Sequence, residues 1–200
     1  MNYLKQSYKI FLIFLISIFF IEKSFSITPD MFVQSTVNRA SEALNSNYTK
    51  EEKIEKLKAI AKSTVDLQGL AFYTLGKHKK IITEEQKKIY LELFEEYFLK
   101  TFSSRLAQYT NPEVKVDSSK ILNKNYTMVS SKLVATEKRP EIKIDWRIYT
   151  KDPDNLLIRD LIIEGLSLAR TQKEEFNSII LSNNGNIEFL FVSLNEFINK

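Results

Sequence analysis

Asp160 is the residue placed best to do chemistry. It interrupts the apolar run Leu156, Leu157, Ile158, Leu161, Ile162, Ile163, and by strand alternation it shares a face with Ile158 and Ile162. A carboxylate in an apolar layer needs a partner, or its pKa rises. Beside a cavity, such a group can act as a general base on a small molecule. The competing arrangements are an ion pair with Arg105, Arg147 or Arg170, or exposure at a bulge.

Other reactive residues offer less. His78 is the single histidine and lies among Lys77, Lys79 and Lys80, which reads as a solvated basic turn. The chain has no cysteine, which removes thiolate chemistry, disulfides and a Cys-based zinc site, and one His alone makes no zinc site. A Ser-His-Asp triad would have to use His78, and no Gly-x-Ser-x-Gly elbow, Walker loop or Gly-x-Gly-x-x-Gly is present. The pairs Glu84-Glu85, Glu95-Glu96 and Glu174-Glu175 fall on helical stretches. Adjacent helical side chains point about 100° apart, which does not suit a catalytic dyad. No catalytic residue, metal or cofactor is therefore assigned.

The elements that must position Asp160 follow from periodicity. Thr28-Pro29-Asp30 opens a helix to about Leu44. Thr49-Lys50-Glu51-Glu52 has capping-box spacing and opens a second helix. Asp66 caps a third, which ends at Leu75 before Gly76. Thr83-Glu84-Glu85-Gln86 starts a long helix to about Tyr109, carrying a wide aromatic stripe. Strands follow at about 114–122, 126–136, 142–149 and 156–163, joined by short turns. After Glu164-Gly165 come a helix to about Leu181 and a last amphipathic helix ending near Ile198. The expected fold is α+β: a curved, antiparallel four-stranded meander covered by about six helices from both chain ends.

The stripe and the two-sided strand fit either of two arrangements. They pack as an ordinary core, or they wall an apolar pocket. In the second case the lining includes Leu70, Tyr73, Leu93, Phe94, Tyr97, Phe98 and Phe102 from the helices. Trp146, Ile148, Leu161 and Ile163 are the corresponding residues of the sheet. Periodicity does not separate the two, because a wall and a core need the same residue types.

At the N-terminus, Lys5 and Lys9 precede the apolar run Ile10 to Ile21, and Ser24-Phe25-Ser26 supplies a small-x-small site. That order is a cleavable secretory signal over 1–26, leaving 27–200 as a single domain. At roughly 1.5 Å per residue the run gives about 18 Å of helix, too short for a hydrocarbon core of about 30 Å. Cleavage near Ser26 lowers the formal net charge from +4 to +2, and no basic stripe suggests nucleic acid.

Several blocks, in order, resemble a known family. Asp66-Leu67-x-x-Leu70-Ala71-x-x-x-Leu75-Gly76 precedes the Thr-Glu-Glu-Gln helix start, and Leu93-Phe94-x-x-Tyr97-x-x-Lys100-Thr101-Phe102 runs on to Leu106-x-x-Tyr109. Arg159-Asp160-x-x-Ile163-Glu164-Gly165-Leu166-Ser167-Leu168 comes later, then Phe176-Asn177-Ser178-Ile179-Ile180 and an Asn-Asn-Gly turn. From Asp66 to Phe197 the chain is similar to MlaC, the phospholipid-binding component of the Mla pathway, also called the toluene-tolerance or ABC-transporter auxiliary component. The resemblance implies a periplasmic carrier whose pocket holds phospholipid acyl chains. It implies two partners, an outer-membrane lipoprotein complex and an inner-membrane MCE-domain ABC transporter. The other readings are a cavity enzyme using Asp160 and a ligand-free periplasmic adaptor.

Overall fold

Capping chemistry sets where the helices begin. The computed structural model describes residues 27–110, 112–137 and 139–200, and the expected secretion signal lies outside them. α1 (Pro29–Asn45) starts with proline in its first turn. α2 (Lys50–Thr64) is held by a full capping box between Thr49 and Glu52, and α4 (Glu84–Leu106) by another between Thr83 and Gln86. Between them, α3 (Leu67–Leu75) is capped by the Asp66 carboxylate, which accepts from Gly69 N. A 3-10 turn over Gly76–Lys80 follows, and Gly76 adopts φ 57°.

The sheet is an antiparallel meander in the order β1-β2-β3-β4-β5, made of β1 (Val114–Asn123), β2 (Tyr126–Leu133), β3 (Ile142–Tyr149), β4 (Leu157–Ile163) and β5 (Leu166–Ser167). It has five strands rather than the expected four. The cause is Glu164-Gly165, whose φ values of 49° and 84° make a two-residue turn of the primed type. The chain therefore folds back, and Ile163 pairs with Leu166 and Ile162 with Ser167 before α5 (Leu168–Ser182) begins. α6 (Glu188–Ile198) completes the chain. A Cβ on Gly165 meets nothing within 4 Å, so Gly165→Ala isolates the backbone term. It is expected to cost about 1–2 kcal/mol in urea unfolding, the usual left-handed penalty.

Along β2, Thr127, Val129, Ser131 and Leu133 are buried, and in register with them stand Ile148, Trp146, Ile144 and Ile142 of β3. This face, with Ile158 of β4, meets Val33 and Val37 of α1, Leu70 and Leu75 of α3, Tyr90 and Phe94 of α4, and Phe176 and Ile180 of α5 in one core. α1 packs on β1 and β2, and α3 and α5 pack on β4. Helices from both ends of the chain thus cover the sheet, α1 at the β1 edge and α3 together with α5 on β4. Among the described residues no helix is long and apolar enough to cross a membrane.

Candidate functional site

A one-residue irregularity decides what Asp160 does. Ile148 pairs with Ile158, yet the next residue back, Arg147, pairs with Asp160. Arg159 is therefore the extra residue of a β-bulge. Simple alternation placed Asp160 on the face of Ile158. The bulge instead turns it away from Ile158 and onto the face of Arg147 and Ile162. There its side chain, 2% exposed, reaches the start of α5. Ser167 Oγ donates to Oδ2 at 2.6 Å and Ala169 N donates to Oδ1 at 3.0 Å, while Arg147 Nη1 stands 3.7 Å away. A carboxylate with both oxygens engaged by a helix N-terminus is anchored for structure. The basis for reading it as an unpartnered general base is gone.

Arg159 is held in its own socket. Its Nε donates to Asp66 Oδ2, and its guanidinium lies 4.8 Å over the Tyr149 ring. A Cβ on Gly69 would run into that guanidinium, so Gly69 is where α3 lets the arginine approach. Asp66 thus serves two roles: capping α3 and neutralising Arg159.

These groups border a half-open cleft of about 340 Å³ between α3, the start of α5 and the β1–β2 turn. Leu70, Tyr73, Leu122 and Ala169 give it apolar walls, and Asn123, Tyr126, Arg147, Arg159 and Asp160 give it polar ones. A wider groove of about 780 Å³ runs between α2, α4 and the end of α6. Four of its charged side chains are already engaged. Lys58 pairs with Glu55 at 2.7 Å and Lys62 with Glu95 at 2.8 Å, and Lys100 Nζ donates to Ile198 O at 2.7 Å.

The aromatic stripe forms a continuous stack. The rings of Tyr90, Phe94, Phe98 and Phe102 follow one another at 5.8, 6.1 and 5.5 Å along α4. Phe176 of α5 meets Tyr90 and Phe94 edge-on, and Tyr97 leans on Phe176 and on Phe197 of α6. Tyr90 is fully buried and its hydroxyl shares a 2.8 Å hydrogen bond with Thr74 Oγ1. Burial pushes its pKa far above the ordinary tyrosine range, the Thr74 bond only partly opposing it. The folded state therefore keeps this proton where the unfolded chain, titrating near about 10, releases it. Stability from Tyr90 is complete below about pH 10 and falls as pH rises beyond it. Tyr90→Phe is expected to flatten that alkaline decline in thermal unfolding between about pH 9 and 11.5.

Comparison with known proteins identifies the chain. The family model described as MlaC protein matches residues 34–196. The chain belongs to the MlaC family. No curated protein matches it. Among solved structures, it is similar to the phospholipid-binding protein from Ralstonia solanacearum in complex with a phospholipid. The TM-score is 0.73 at 19% identity, covering 86% of this chain and 98% of that one, so the likeness is one of fold.

In this MlaC family member the residues expected to wall a pocket fall into three settings. Leu70 and Tyr73 border the cleft. Phe94, Trp146 and Ile148 lie buried in the core. Leu93, Tyr97, Phe98, Phe102 and Leu161 are half-buried and packed against it, and Ile163 is half-buried near the end of β4. The stack on α4 thus runs from filled core at Tyr90 and Phe94 to partly open at Phe98 and Phe102. Of the cleft's residues, Leu122, Asn123 and Tyr126 were not singled out by sequence, whereas Arg147 was one of three arginines expected to pair with Asp160 and is the one that does. Nothing local in the sequence brings the distant β1–β2 turn beside Arg147. His78 is a correction. It is not solvated but 5% exposed, with Nε2 3.0 Å from Asn177 Oδ1. The 3-10 turn after Gly76 swings its ring inward against α5 while the flanking lysines Lys77, Lys79 and Lys80 stay wetter.

Proposed function

We propose that this protein is a phospholipid carrier of the periplasm. In this reading residues 1–26 direct export, and 27–200 act as one binding unit. The unit covers acyl chains and moves lipid between an outer-membrane lipoprotein complex and an inner-membrane MCE-domain ABC transporter, which maintains outer-membrane lipid asymmetry. No bond is made or broken in that task, so the protein is not an enzyme. The carrying observation is the MlaC family match across residues 34–196. The Ralstonia solanacearum structure of the same fold, which holds a phospholipid, supports it. The physical argument is burial. Each methylene shielded from water is worth about 0.8 kcal/mol, so two acyl chains give tight retention. The half-buried end of the aromatic stack, Phe98 and Phe102, is where side chains can part to admit them.

Native mass spectrometry and lipid extraction of the purified protein test this directly. The expected result is co-purifying phospholipid, or its uptake from vesicles by stripped protein. Protein that is consistently lipid-free and takes up none overturns the reading. The carrier role has its own test. Loaded protein is expected to exchange lipid with a reconstituted MCE-domain transporter complex, and binding without exchange would leave storage in place of transport.

A further inference from the structure

The cleft beside α3 holds hydrogen-bond donors that the fold does not use. Arg147 is the first. Its side chain is 36% exposed, and its one ion-pair partner among the described residues, Asp160, is 3.7 Å away, beyond hydrogen-bond reach. Both Asp160 oxygens are already satisfied by Ser167 and Ala169. The Arg147 guanidinium therefore has no hydrogen-bond partner among the described residues, although it presents five N–H donors. Arg159 provides the contrast, since its charge is spent on Asp66 and its face on Tyr149.

Further donors line the same cleft. Asn123 uses its carbonyl oxygen to accept from Asn125 N, which leaves its amide nitrogen unbonded among the described residues, and the Tyr126 hydroxyl is likewise unbonded. Lys173 Nζ stands 5.3 Å from the centre of the ring of Tyr73, a cleft residue. The same cleft has apolar walls from Leu70, Leu122 and Ala169. An anion with planar or tetrahedral oxygens, attached to a hydrocarbon body, matches both halves. A guanidinium binds phosphate oxygens in a forked geometry and keeps its charge at any physiological pH.

We propose that this cleft binds a phosphate group, with Arg147 as its principal ligand and Asn123 and Tyr126 as supporting donors. The phosphate belongs either to the headgroup of a bound phospholipid or to a free phosphate ester. The headgroup case rests on the lipid-carrier reading, and the free-ester case does not. Asp160 remains on the α5 side, where it holds the arginine near the cleft without occupying it.

The test compares wild type, Arg147→Gln and Arg147→Lys, with circular dichroism and thermal unfolding to confirm that all three fold. Affinity is measured for phosphatidylglycerol, for a diacylglycerol with the same chains, and for glycerol 3-phosphate. The expected result is a loss of about tenfold or more for phosphatidylglycerol in Arg147→Gln, partial recovery in Arg147→Lys, and no change for diacylglycerol. Equal loss for both lipids, or no loss for either, overturns the proposal. Binding of glycerol 3-phosphate that depends on Arg147 assigns the site to phosphate esters in general. Lack of such binding alongside the lipid effect assigns it to the headgroup of a held lipid. Wild type that binds neither lipid defeats the carrier reading. In that event the phosphate site stands if glycerol 3-phosphate still binds through Arg147 and falls if it does not.

Discussion

Phe94→Ala is expected to remove about 3–5 kcal/mol of folding stability. Phe94 is 1% exposed and lies in the core between α4 and α5. Its ring touches Tyr90 and Phe98 of its own helix and Phe176 of α5, with centroids between 5.8 and 6.4 Å. Those neighbours are ring systems that cannot collapse far, so truncation leaves much of the ring's volume empty and adds a cavity cost to the lost transfer energy. Against a typical total of about 5–15 kcal/mol, such a loss leaves a marginal protein. Urea unfolding checks it, read as a lower midpoint at similar slope. Phe102→Ala is the internal comparison. That ring is half-buried at the open end of the stack, so its truncation is expected to cost less than half as much while weakening acyl-chain retention more. If the two variants lose equal stability, the gradient from filled core to partly open wall does not exist.

That gradient marks where the sequence stopped being informative. The capping boxes at Thr49 and Thr83 and the Asp66 cap fall where their spacing says they should, because a cap is a contact within one turn. Ile142–Tyr149 alternates and forms a strand over that same range, again because the pattern is local. Whether Phe94 or Phe102 is filled core depends on Phe176, some eighty residues away, and no period reports that. The fifth strand was written in Glu164-Gly165, a pair able to adopt a primed turn, but the same pair also suits a strand-to-helix join. A bulge was one of the arrangements weighed for Asp160, but no residue type marked it at Arg159. Its consequence was large, since one extra residue separates Asp160 from Ile158 and changes a candidate base into an anchor. The basic neighbours of His78 suggested a wet turn, and only the Asn177 contact from α5 reveals the buried ring.

Asp160→Ala is expected to cost about 3 kcal/mol, close to the value for breaking a buried charged network. The change strands the Ala169 N–H and the Ser167 hydroxyl, and it removes the negative charge from the start of α5. Asp160→Asn should cost less, about 1–2 kcal/mol. The amide oxygen can still accept from Ala169, but the amide nitrogen offers no lone pair, so the Ser167 hydroxyl loses the acceptor it donates to. A catalytic base would behave in the opposite way, since Asp160→Asn would leave stability untouched and abolish turnover. Anchoring also predicts coupling. Ser167→Ala removes the donor to Oδ2 and the N-cap of α5 together, so once Ser167 is gone, Asp160→Asn loses the conflict that made it costly. A double-mutant cycle in urea is therefore expected to give a non-additive term of about 0.5–1.5 kcal/mol, the double variant being more stable than the sum of the singles predicts. Additive losses would mean that Asp160 acts on α5 through its charge alone, without the hydroxyl relay.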